Sequence, residues 1–124
     1  MQKIFLLTGS ILGGLGIAIG AFGAHALKKT LLANDKLEVF ETAVKYHFYH
    51  AFALLIAGIL IEKIQSPLMN FAGYAFIIGV MIFSGSLYIL SISGVTKWGA
   101  VTPIGGLILI IGWILMFIGI LKNL

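Results

Sequence analysis

Four long apolar stretches, separated by short polar breaks, organise this chain. They run over residues 4–27, 46–62, 67–93 and 99–121. Each reaches the roughly 17–25 residues that a helix needs to cross a hydrocarbon core. The breaks carry the polar residues: Lys28-Lys29, then Glu62-Lys63-Ile64-Gln65-Ser66, then Gly94-Val95-Thr96-Lys97-Trp98, and last Lys122-Asn123. Helices joined by short turns run antiparallel to their neighbours. The pattern therefore predicts an all-α fold: an integral membrane four-helix antiparallel bundle, forming one transmembrane domain over residues 1–124. The one longer link holds residues 35–45, where apolar Leu37, Phe40 and Val44 share a face with His47. Lys36, Glu38, Glu41, Thr42 and Lys45 lie mostly elsewhere, as in an amphipathic segment at the membrane surface. Asp35, with Glu38 three residues on, reads as the N-cap of that segment, and residues 30–34 as the loop before it. Pro67 and Pro103 fall in first helical turns, where proline is tolerated, and Trp98 suits an interfacial anchor.

Small residues are spaced as regularly as the apolar ones. Gly9, Gly13, Gly16, Gly20 and Gly23 alternate steps of four and three, which keeps them on one face of the first helix. Gly14, Ala18, Ala21 and His25 run down roughly the opposite face. Small faces let helices approach closely in lipid, where no hydrophobic force drives them together. Gly79 in the third span, and Gly105, Gly112 and Gly119 in the fourth, extend the same packing device. In the second span Ala43, Tyr46, His50, Ala53 and Ala57 repeat the spacing, with a tyrosine and a histidine set into the small face.

Composition narrows the classes of function. The chain is 60% hydrophobic and 10% charged, with a mean hydropathy of +1.13, against about a quarter charged in a soluble domain. It has no cysteine, which excludes disulfides, thiolate metal sites and cysteine nucleophiles. The net charge of +4 comes from eight lysines without one arginine. That suits lipid headgroups and topology control, and it argues against nucleic acid as a partner. Ala24-His25-Ala26 fits a leader-cleavage pattern, but the apolar run before it exceeds the ~7–15 residues of a signal core, so we expect a retained helix. Lys28, Lys29, Lys36, Lys45 and Lys97 fall on one side of the bundle, and Lys3, Lys63 and Lys122 on the other. The positive-inside rule then puts the long link in the cytoplasm and both termini outside.

Four local motifs carry a resemblance over essentially the whole chain. Gly20-Ala21-Phe22-Gly23-Ala24-His25-Ala26-Leu27 closes the first helix, and Thr42-Ala43-Val44-Lys45-Tyr46-His47-Phe48-Tyr49-His50-Ala51 opens the second span. Phe83-Ser84-Gly85-Ser86-Leu87-Tyr88 lies in the third, and Thr102-Pro103-Ile104-Gly105-Gly106 starts the fourth, with Gly112-Trp113 beyond. Together they resemble the YgdD-type family of small four-helix membrane proteins, domain of unknown function 423. The resemblance implies a multi-pass protein of the bacterial inner membrane with no settled activity, and it supplies no catalytic residues.

The candidate site therefore rests on the few polar groups within the spans. His25, Glu41, Tyr46, His47, His50, Ser84, Ser86 and Thr102 all fall toward one end of the bundle, so they are expected to converge at one membrane interface. Three readings of that cluster compete. It is a hydrogen-bonded lock between helix ends, or a site for a small solute, ion, proton, lipid or quinone, since intramembrane ionisable groups are functional candidates. The third is a metal site, in which His25, His47 and His50, with Glu41 or Glu38, supply the ligands. Catalysis has little support: Ser84 and Ser86 lack the G-x-S-x-G context of a nucleophile elbow, and no phosphate-cradling glycine loop joins a strand to a helix. The reading carried forward is a non-enzymatic structural or assembly protein with no cofactor. Its partners are membrane lipids and either copies of itself or a larger membrane complex. The alternative is a small transporter or channel using the His/Tyr cluster.

Overall fold

The computed structural model describes residues 1–124, and every element in it is helical. The order is α1 (Gln2–His25), α2 (Lys28–Ala33), α3 (Leu37–Lys63), α4 (Pro67–Ser93), a 3-10 turn (Thr96–Ala100) and α5 (Thr102–Asn123). Four helices are long and apolar enough to cross a membrane: α1, α3, α4, and α5 with its leading 3-10 turn. α1 packs on α3, α3 on α4 and α4 on α5, whereas α1 and α5 share no extensive contact. The bundle is thus a row of antiparallel helices in chain order. Its most continuous core lies toward the end that holds the termini, around Phe5, Leu54, Ile64, Met69, Phe76 and Met116.

The local boundaries follow from side-chain chemistry. Ser66 caps α4 by accepting a hydrogen bond from the Leu68 amide at 3.2 Å, and Pro67 fills the first turn, where its missing N–H costs nothing. Gly94 ends α4 in the left-handed region at φ +73°, a conformation open to glycine. Asp35 is not the N-cap of α3. It sits at φ +53° in the turn after α2, a conformation that short polar side chains tolerate, and Lys36 takes the cap position with no side-chain bond. The expected loop at residues 30–34 is mostly the short helix α2. The amphipathic segment runs into the second span without a break, so α3 is one rod of 27 residues, about 40 Å long.

The glycines set how closely the rods lie. A methyl group on Gly9 would meet the Ala51 carbonyl oxygen at 2.9 Å, and one on Gly16 the Phe48 ring at 2.9 Å. One on Gly23 would overlap the Phe40 ring. These three, seven residues apart, form the α1 contact with α3. Gly20 meets only Val44, at 3.5 Å, and Gly13 meets nothing within 4 Å. The five-glycine rhythm is therefore a contacting line with shoulders, because the steps of four and three swing alternately about the line that every seventh residue keeps. Between α4 and α5 the same device repeats: Gly79 faces Leu109, Gly105 the Phe83 backbone, Gly112 the Phe76 ring and Gly119 Met69.

Candidate functional site

The polar side chains within the spans form links between helices. His47 is buried on α3 and uses both ring nitrogens: Nε2 lies 2.7 Å from the Leu12 carbonyl of α1, and Nδ1 lies 2.7 Å from the Tyr88 hydroxyl of α4. A carbonyl only accepts, so Nε2 carries the proton and donates to it; the Tyr88 hydroxyl donates to Nδ1. The Leu12 carbonyl is reachable because Gly16, one turn on, has no side chain to cover it.

His50 has the opposite tautomer. Its Nδ1–H donates to the Tyr46 carbonyl one turn back, at 2.7 Å, and its Nε2 accepts from the Trp113 indole N–H of α5 at 3.1 Å. The Trp113 ring also packs on Phe76, with centroids 5.0 Å apart. Ser84 donates to the Ala43 carbonyl at 2.8 Å, which ties α4 to α3. Ser86 donates to the Phe83 carbonyl and lies 2.6 Å from the Thr102 hydroxyl, which joins α4 to α5. Each neighbouring pair of rods thus has at least one polar link besides its packing. No buried side-chain nitrogen or oxygen lacks a partner, and no serine is paired with an imidazole.

The structure brings together only part of the expected constellation. His47, His50, Ser84, Ser86 and Thr102 are linked as described. Tyr46 is exposed, with its ring 5.0 Å from that of Phe83, and it enters the network only through its carbonyl. Glu41 is exposed beside a small groove of about 170 Å³ that Gly20, Gly23 and Phe40 also line. His25 stands apart and exposed at the end of α1. The antiparallel register set by Gly16 beside Phe48 and Gly23 beside Phe40 puts His25 level with Glu38 and Val39. That is about 12 Å along the bundle from His47, at ~1.5 Å per residue. No three His, Asp or Glu side chains are grouped to hold a metal ion, so His25, His47 and His50 are not a ligand set in this arrangement.

The two histidine links lie near the middle of the helices, whereas the Ser86–Thr102 link lies at the first residue of α5. His50 is at the midpoint of α3, and Leu12 and Trp113 fall near the midpoints of α1 and α5. The reason is the unbroken α3: its charged first turns belong to the same rod as the two histidines and carry them toward its middle. Three contributors escaped the sequence reasoning. Trp113 looks like one more apolar residue, although an indole N–H away from water needs an acceptor. The Leu12 carbonyl has no sequence signal at all. Asn34 donates to the Ser91 and Ile92 carbonyls at 3.1 and 3.0 Å and so covers the open end of α4; its position in a polar linker gave no hint of that.

A row of four spanning helices, bound by glycine contacts and buried polar links, defines a small multi-pass membrane protein. The family profile described as "Protein of unknown function (DUF423)" matches residues 19–106. The chain is 39% identical to the UPF0382 membrane protein YwdK of Bacillus subtilis, over 99% of this chain and 100% of that one. It is 42% identical to a UPF0382 membrane protein of Staphylococcus haemolyticus, over 98% of each. It is 33% identical to the UPF0382 inner membrane protein YgdD of Escherichia coli, over 98% of this chain and 92% of that one. No solved structure matches. The chain belongs to the DUF423 family, and it is an integral inner-membrane protein.

Proposed function

We propose that this protein is a non-enzymatic assembly or accessory subunit that presents α1 to another membrane helix, either of a second copy or of a larger complex. The observation that carries this is the contrast between the two end helices of the row. The outward face of α5 is bulky, with Leu107, Ile110, Ile114 and Phe117 exposed, as lipid contact requires. The outward side of α1 also exposes bulky residues, Ile11, Ile17 and Phe22 among them, but it carries beside them an exposed stripe of small ones, Ser10, Gly14, Ala18 and Ala21, and a methyl group on Gly14 would meet nothing within 4 Å. Small residues at four-residue spacing are how membrane helices approach one another, and no helix of this chain covers them. The transport reading has less support, because both buried imidazoles have their ring nitrogens engaged within the protein. We also place the lysine-rich end in the cytoplasm and both termini outside, on the distribution of the eight lysines.

The test is Gly14→Leu, read by native mass spectrometry after gentle release from the membrane. The expected result is loss of higher-order species or bound subunits at unchanged thermal stability. An unchanged set of species would sink the proposal. Gly16→Leu is the matched contrast: it would push into Phe48 and damage the bundle itself.

A further inference from the structure

The largest groove in the molecule lies between α1 and α4, at the lysine-rich end. It holds about 530 Å³, within the ~300–1,000 Å³ usual for ligand sites. All seven lining residues are hydrophobic. Phe40 of α3 makes the buried floor, Phe22 and Ile92 are exposed at the rims, and Leu27 lies at the surface end. The groove exists because α1 and α4 meet only toward the other end, where the Phe5 ring fills the space over Gly73, and both lean on α3 instead of on each other here. Along α1 it extends from Ala18 to the helix end at His25, about 10 Å at ~1.5 Å per residue, some two-thirds of the ~15 Å of one hydrocarbon leaflet.

What stands at its mouth is charged. Lys28 and Lys29 follow Leu27 directly, both exposed, and no acidic residue occurs between Ala18 and Asn34. An apolar slot that reaches about two-thirds of the way through a leaflet, followed directly in the chain by two exposed lysines, suits an acyl chain below an anionic headgroup. We propose that this groove binds one acyl chain of an anionic phospholipid, whose phosphate rests on Lys28 and Lys29. The site lies on the shoulder of α1, beside its contact with α3; it shares Ala18 with the outward small face, but its lipid preference is read independently of the assembly role.

The test uses the full chain in vesicles of equal phosphatidylglycerol and phosphatidylcholine with identical acyl chains, followed by native mass spectrometry of the retained lipid. The expected result is a preference of about 25-fold for phosphatidylglycerol, since each of the two lysines near a headgroup contributes about fivefold. Lys28→Gln with Lys29→Gln should bring the ratio close to one. Lys97→Gln, a charge on the same side but outside the groove, should leave it unchanged. Ile92→Trp, at an exposed rim, should lower retention of phosphatidylglycerol while helix content and melting temperature stay the same. Equal retention of the two lipids by the unaltered protein would overturn the proposal. So would a loss of preference in Lys97→Gln as large as in the double variant, which would mean a diffuse basic surface without a site.

Discussion

The contact between α4 and α5 allows a sharp test of the glycine argument. In Gly105→Ala the new methyl group meets the Phe83 amide nitrogen, its Cα at 2.8 Å and its Cβ at 2.9 Å. None of these atoms belongs to a part of Phe83 that can rotate away. Relief requires the two rods to separate by roughly 1 Å, to bring the nearest of these atoms to the ~3.5 Å at which heavy atoms pack. A gap of that size forfeits about a quarter to a half of the dispersion energy of the atoms beside it. In lipid that loss matters, because packing and polar links hold helices together there, not expulsion of water. The overpacking should cost about 1–3 kcal/mol, against a gain of up to ~1 kcal/mol from replacing a helical glycine by alanine. Gly13→Ala and Gly14→Ala collect the gain alone, since nothing lies within 4 Å of either new methyl group. Reversible unfolding of the three variants in mixed detergent micelles should rank Gly105→Ala below the unaltered protein, and the other two level with it or above. If Gly105→Ala proved as stable as Gly13→Ala, the close approach of α4 and α5 described here would be wrong.

Three further predictions concern the polar links. Trp113→Phe keeps an aromatic ring against Phe76 but removes the donor to His50, and should cost about 1 kcal/mol; a double-mutant cycle with His50→Phe should give a coupling of ~0.6–1.7 kcal/mol. His47→Phe leaves the Tyr88 hydroxyl without its acceptor and removes the donor to the Leu12 carbonyl, so unfolding measurements should show a loss of about 1–3 kcal/mol, larger than for Tyr88→Phe. Asn34→Ala uncovers the Ser91 and Ile92 carbonyls, and hydrogen exchange should speed up in α2 and at residues 94–100 while the middle of α4 stays protected.

What the sequence determined by itself is whatever depends on distance along one helix. Apolar runs long enough for a bilayer identify four spans, and short breaks make them antiparallel. Pro67 and Gly94 mark the ends of α4 through their own backbone preferences. The period of 3.6 residues puts Gly9, Gly16 and Gly23 on one face and Gly14 and Ala18 on another. The tertiary structure decided whatever depends on the axial offset between helices. Periodicity gives the direction in which a side chain points, but not its level in the bundle. His25 faces a plausible way and still lies about 12 Å from His47, because the offset of α1 against α3 is set by where Phe48 and Phe40 find glycines to rest on. The same offset brings the Leu12 carbonyl to His47, and the offset of α5 brings Trp113 to His50. A backbone carbonyl has no residue type to reveal it, and an indole in an apolar run shows its need for a partner only when the partner is in view. The groove beside Lys28 is decided the same way: it is the space left where α1 and α4 both rest on α3 and not on each other.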